Sequence, residues 1–110
     1  PYMHYGKSKM KMEIEIQNKM ASSCTSYVLV RAPWFYGINQ PDRQLFFFRM
    51  IQTGKFPIIG EGNNLRSMCY LDNLVQGLFL CVIKPQADNQ IFWISDEKPY
   101  TMLEIIQTIR

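Results

Sequence analysis

The six residues Ser26-Tyr-Val-Leu-Val-Arg31 carry a β-branched and aliphatic run with no apolar–polar alternation. A strand with one wet face alternates; a strand covered on both faces, as in a parallel sheet, does not. Parallel strands cannot be joined by a tight hairpin and need a crossover of a dozen or more residues, usually a helix. The run therefore predicts an α/β chain, in which helices and strands take turns along the sequence.

The flanking segments supply that alternation. From Tyr2 to about Ser22 the residues are strong helix formers, chiefly Lys, Met, Glu and Gln. Lys9-Met-Lys-Met-Glu-Ile-Glu-Ile-Gln17 also alternates like a half-buried strand. Tyr5, Lys9, Met12, Ile16 and Met20 share one helical stripe, and Met3, Met10 and Ile14 share another. A helix buried on two sides produces both patterns, so the segment reads as helix. Ala32 to Pro41, with Pro33 and Gly37, reads as a loop. Asp42 is positioned to cap a helix to about Thr53, ended by Gly54. Phe56-Pro-Ile-Ile59 reads as a short strand, Gly60 to Arg66 as a polar turn, and Ser67 to Leu71 as another strand. Asp72 caps a helix from Asn73 to about Lys84; Gln90 to Ser95 is a strand, and a last helix begins near Thr101.

Composition narrows the function classes. At 47% hydrophobic and 19% charged residues, the chain has the material for a packed core. The net charge of +3 is mild and, outside Lys7 to Lys11, its cations are scattered, which argues against a nucleic-acid partner. Leu45-Phe-Phe-Phe-Arg49 reads as a buried helix face rather than a base-stacking platform. Cys24, Cys69 and Cys81 are odd in number and widely spaced, and His4 is the sole histidine. That fits neither a disulfide framework nor a zinc site; no metal is expected, and buried, reduced thiols in a cytoplasmic protein are. The longest apolar run, Leu78 to Ile83, is too short to span a membrane. Pro1 is not an initiator residue, and the chain reads as a piece of a longer protein.

One pair of residues carries chemistry. Tyr5 and Lys9 stand four apart, so on a helix they share a face with Cβ atoms about 5–6 Å apart. A free phenol titrates near pH 10, about three units above the range of neutral acid–base work. A cation about 6 Å away, at an effective dielectric of about 20, is worth roughly 2.8 kcal/mol to its ionised form. A phenol and an ammonium so spaced can handle a proton together. With six Tyr in 110 residues, however, about 0.4 such pairs arise by chance, and the pair alone also fits a solvated lysine face.

The order of motifs is more telling than any one of them. Pro1-x-x-x-Tyr5-x-x-Ser8-Lys9 is followed by Arg31-Ala-Pro-Trp-Phe-Tyr36-Gly37, then Gly60-Glu-Gly62-Asn-Asn-Leu-Arg66-Ser, then Tyr70-Leu-Asp72-Asn73-Leu-Val. This succession resembles the C-terminal half of extended short-chain dehydrogenases/reductases, the NAD-dependent epimerase/dehydratase family. The resemblance implies an α/β fold: the C-terminal portion of a Rossmann-like parallel sheet plus a small substrate-binding subdomain, spread over residues 1–110. It implies NAD or NADP as cofactor, a small-molecule substrate such as a nucleotide sugar, and a homodimer packed through the tyrosine helix in the full-length protein.

By the same resemblance Tyr5 is the general acid/base, and Lys9 is its electrostatic partner and a donor to the nicotinamide ribose. Pro33 lies beside the cofactor, and Arg66 grips the substrate diphosphate. Asp72 reads as a helix cap, and Tyr36 and Gly37 as shapers of the loop. Two positions depart from the family. Trp34 stands where nucleotide-sugar enzymes often carry Asn, and points to an apolar or stacked substrate pocket. Ser67 stands where Asp is common. The family's Gly-x-x-Gly-x-x-Gly phosphate turn does not occur in this sequence, so turnover is expected of a full-length protein and not of these residues alone. A hydroxysteroid- or carbonyl-type dehydrogenase and a non-catalytic dinucleotide-binding scaffold are the competing readings.

Overall fold

Helix-forming composition prevails over alternation at the start of the chain. In a computed structural model describing residues 3–110, α1 runs from His4 to Met20. Pro1, the first position of the tyrosine motif, and Tyr2, the expected helix start, lie outside the described residues. The remaining elements are β1 (Val28–Arg31), β2 (Trp34–Tyr36), α2 (Asp42–Gln52), β3 (Leu65–Arg66), β4 (Met68–Tyr70), α3 (Leu71–Ile83), β5 (Gln90–Trp93), β6 (Tyr100–Thr101) and α4 (Met102–Ile109).

The strands pair two by two. β1 runs parallel to β5, with Val28 opposite Gln90 and Arg31 opposite Trp93. β2 runs parallel to β4, with Trp34 opposite Met68, and β3 lies antiparallel to β6, with Arg66 opposite Tyr100. The parallel pairs and intervening helices are the α/β architecture that the aliphatic run predicts. Full burial of β1 is not observed: Leu29 is buried, but its neighbours are half-buried and every residue of β5 is exposed. Among the described residues β5 is the only strand paired with β1, so this sheet is narrow and incompletely covered. The radius of gyration, 17.3 Å, exceeds the roughly 13 Å of a closed domain of this length.

The core sits between α2, β4 and α4, where Ile51, Met68, Met102, Ile105 and Ile106 are buried together. Trp34, Tyr36, Phe47, Phe56 and Tyr100 pack around them. Of the phenylalanine run, Phe47 and Phe48 turn inward and Phe46 faces solvent. Two glycines set the frame. A Cβ at Gly77 would lie 2.6 Å from Ile94 Cδ1, so a larger residue there would force the Ile94 side chain to shift. Gly54, at φ +70, follows α2 in the left-handed conformation that ends helices.

Several local expectations are corrected. Residues 34–36 form β2 and not loop: the Trp-Phe-Tyr run has strong strand propensity, and the flanking Pro33 and Gly37 only bound it. Phe56 to Ile59 is not a strand, since Pro57 has no N–H to donate and Ile58 and Ile59 are exposed. Neither Asp42 nor Asp72 is a cap. Each lies inside the first turn of its helix, where a carboxylate favours the dipole without a capping hydrogen bond. The true side-chain cap is Thr101, whose hydroxyl accepts from the Glu104 N–H while Glu104 accepts from the Thr101 N–H. Those bonds, backbone first, hold the Glu104 carboxyl below its ordinary range. Of the three cysteines only Cys69 is buried; Cys81 is half-buried and Cys24 exposed, all as free thiols. Among the described residues no helix is long and apolar enough to cross a membrane.

Candidate active site

Tyr5 and Lys9 are brought together as their spacing requires. One helical turn apart on α1, the Lys9 ammonium lies 5.6 Å from the centroid of the Tyr5 ring, within cation–π range. Both side chains are exposed, Tyr5 at 74%. The helix buries none of its residues. Its side-chain tie to the sheet is a paired hydrogen bond: Arg31 Nε donates to Glu13 Oε1 at 3.0 Å, and a terminal guanidinium nitrogen of Arg31 donates to the other carboxylate oxygen. This bonding holds the Glu13 carboxyl below the ordinary carboxylate range and raises Arg31 above its usual value.

Pro33 is half-buried, two residues past the carboxyl end of β1, in the short link to β2. Ligands of parallel sheets gather beyond such strand ends. Trp34 and Arg66 form a second group. The Arg66 guanidinium lies 5.3 Å from the Trp34 ring centroid, and Phe48 stacks on Trp34 at 5.9 Å with Phe47 edge-on at 4.7 Å. A guanidinium offers a planar N–H fork that matches an anion. The neighbouring cavity of about 220 Å³ is lined by Tyr36, Phe48, Met68, Tyr100, Glu104 and Ile105 among others, and Trp34 is not in its wall. The indole face lies within cation–π range of Arg66.

Asp96 is a connection that sequence reasoning missed. Its carboxylate accepts from the Tyr36 hydroxyl at 2.9 Å, the Tyr70 N–H at 2.9 Å and the Asn73 amide at 3.2 Å, and its own N–H donates to the Met68 carbonyl at 2.8 Å. It thereby joins the ends of β2 and β4 to the first turn of α3. The separation of 60 positions from Tyr36 to Asp96 leaves no local signal for this contact. Burial first, and then the Asp96 hydrogen bond, pushes the Tyr36 phenol up to about 12.

That shift has a testable sign. The folded state holds the Tyr36 proton more tightly than the unfolded chain, whose phenol titrates near pH 10. The stabilisation is therefore complete below about pH 10 and is lost as pH rises toward about 12. In the full-length protein, Tyr36→Phe is expected to lower the unfolding free energy by about 1 kcal/mol near neutrality, allowing for the ring's partial exposure. The gap between variant and wild type, followed by denaturant titration, closes on the alkaline side.

With this geometry in view, the comparisons define the class. The sequence model described as "NAD dependent epimerase/dehydratase family" matches residues 1–95, and the chain belongs to that family. It is 54% identical over 110 residues to the "Uncharacterized protein y4nL" of Sinorhizobium fredii, covering 99% of this chain and 31% of that protein. It is 26% identical over 110 residues to the UDP-glucose 4-epimerase of Vibrio cholerae, covering 99% of this chain and 34% of that enzyme. In fold it resembles the dTDP-glucose 4,6-dehydratase of Bacillus anthracis solved in complex with NAD, with a TM-score of 0.81 at 19% identity, over 99% of this chain and 36% of that one. The chain thus spans about a third of the length of the curated relatives it matches. The Rossmann-like α/β class expected from the motifs is the class found.

Proposed function

We propose that residues 1–110 are the C-terminal catalytic and substrate-binding part of an NAD(P)-dependent epimerase, dehydratase or reductase that acts on a nucleotide sugar, with Tyr5 as general acid/base. The observation that carries this reading is the phenol–ammonium pair on one exposed face of α1. When bound, the dinucleotide supplies the redox chemistry, and the chain supplies orientation and proton handling.

The residues present fit the nicotinamide end of such a cofactor. Lys9 offers three N–H donors and no acceptor, which suits the paired hydroxyls of a ribose. The exposed Tyr5 hydroxyl is free to exchange a proton with a substrate oxygen. Pro33 lies just past the carboxyl end of β1, where ligands of parallel sheets gather. Arg66, within cation–π range of Trp34, suits a diphosphate because a guanidinium is a planar fork of N–H donors. The exposed Met3, Met10 and Ile14 stripe of α1 suits a homodimer contact of the full-length protein.

Ligand-dependent stability separates the readings. Thermal unfolding of the full-length protein is expected to be delayed by UDP- or dTDP-sugars, by about 2.7 kcal/mol at a hundredfold excess over Kd. Protection by apolar ketones alone overturns the nucleotide-sugar assignment in favour of a hydroxysteroid- or carbonyl-type dehydrogenase. Protection by dinucleotide and by neither substrate class favours the scaffold.

A further inference from the structure

Tyr5, Lys9 and Glu13 stand at successive i, i+4 positions of α1, so the Glu13 carboxylate lies about two turns, roughly 12 Å, along the axis from the phenol. α1 has no fully buried residue, and Gly6, Glu13, Ile16, Gln17 and Met20 are only half-buried, so packing within this chain holds its rotation and axial position weakly. The Glu13–Arg31 contact adds a directional tie. It is the one ion pair among the described residues, and its two parallel hydrogen bonds fix orientation as well as distance.

Arg31 is itself tied to β5. It is the last residue of β1, paired in register with Trp93. Its carbonyl accepts from the Ile94 N–H at 3.1 Å, and its guanidinium lies 5.5 Å from the Trp93 ring centroid. Two residues further on comes Pro33, followed directly by Trp34. A single side chain therefore links the helix bearing Tyr5 and Lys9 to the end of β1, which leads through Pro33 into β2.

We propose that Glu13 and Arg31 are positioning residues: their forked contact sets the rotation and register of α1, and so aims the Tyr5–Lys9 pair at the region beyond the carboxyl end of β1. This rests on the role assigned to Tyr5 and Lys9 above. Neither residue touches the reacting atoms. Each acts through the helix, so its loss affects the rate of the chemical step more than the capture of substrate.

The test uses the full-length protein and two independent readouts. Glu13→Gln, Arg31→Lys (charge kept, fork lost) and the exchanged pair Glu13→Arg with Arg31→Glu are compared with wild type. Amide hydrogen exchange across residues 4–20, read by mass spectrometry without substrate, is expected to quicken about tenfold in either single variant, while β1 and β5 exchange as in wild type. The kcat is expected to fall about tenfold with KM within twofold, since small misplacements of reacting groups cost rate. The exchanged pair is expected to recover most of both effects. Arg31→Lys serves if Glu13→Gln does not fold. Wild-type exchange over residues 4–20 in both single variants overturns the clamp. Quickened exchange with unchanged kcat overturns its positioning role, and so does an exchanged pair no better than either single variant. Full turnover by Tyr5→Phe removes the underlying acid/base reading instead, a result the exchange measurement does not share.

Discussion

Cutting Ile51 back to alanine in the full-length protein is expected to lower its unfolding free energy by about 3 kcal/mol, and Tm by roughly 5–10 °C. Ile51 has no exposed surface and lies among Met68, Met102, Ile105 and Ile106, where α2, β4 and α4 meet. Removing its branched side chain loses the transfer free energy of the missing carbons and leaves a void that its neighbours cannot fully close, because each is held by its own helix or strand. The milder Ile51→Val is expected to cost about 1 kcal/mol. Denaturant titration of the two variants gives the comparison, and equal midpoints for wild type and Ile51→Ala would show that this cluster is not the stabilising core.

How much of this was legible depends on sequence separation. Tyr5 and Lys9 were found because one helical turn joins them, and four residues of sequence carry the whole geometry. The α1 segment was read correctly despite its alternating letters because its residue types favour helix and its apolar positions also fit helical stripes. The aliphatic run at residues 26–31 announced a parallel strand, and β1 is one. Burial of that strand on both faces did not follow, since it depends on what neighbours the strand has and not on its own composition.

Other elements needed tertiary information. The Glu13–Arg31 contact spans 18 residues and the Tyr36–Asp96 bond spans 60, and no periodicity encodes either. The strand at residues 34–36 was hidden by its proline and glycine flanks, although its three aromatic residues favour a strand. Asp42 and Asp72 resemble caps in sequence because acidic side chains suit both the cap and the first turn. The Thr101-x-x-Glu104 capping box, by contrast, was fully present in the sequence as a known start signal. The contact of Trp34 with Arg66 was not legible, because 32 positions of sequence separate them.

The largest functional effect is expected at Tyr5. Tyr5→Phe removes one oxygen and keeps the ring, so the Lys9 contact to the ring face can persist while the proton-carrying group is gone. Positioned acid–base groups contribute about 10²–10⁴-fold to rate, and a loss of about 10³-fold in kcat/KM is expected. Dinucleotide affinity is expected to stay within about twofold, because Lys9 supplies more N–H donors than the single phenolic hydroxyl.

The decisive measurement is kcat/KM of full-length Tyr5→Phe on a nucleotide sugar, with NAD affinity titrated in parallel. Loss of turnover with the dinucleotide still bound is the predicted result. Turnover equal to wild type without the phenolic hydroxyl would contradict the proposed chemistry.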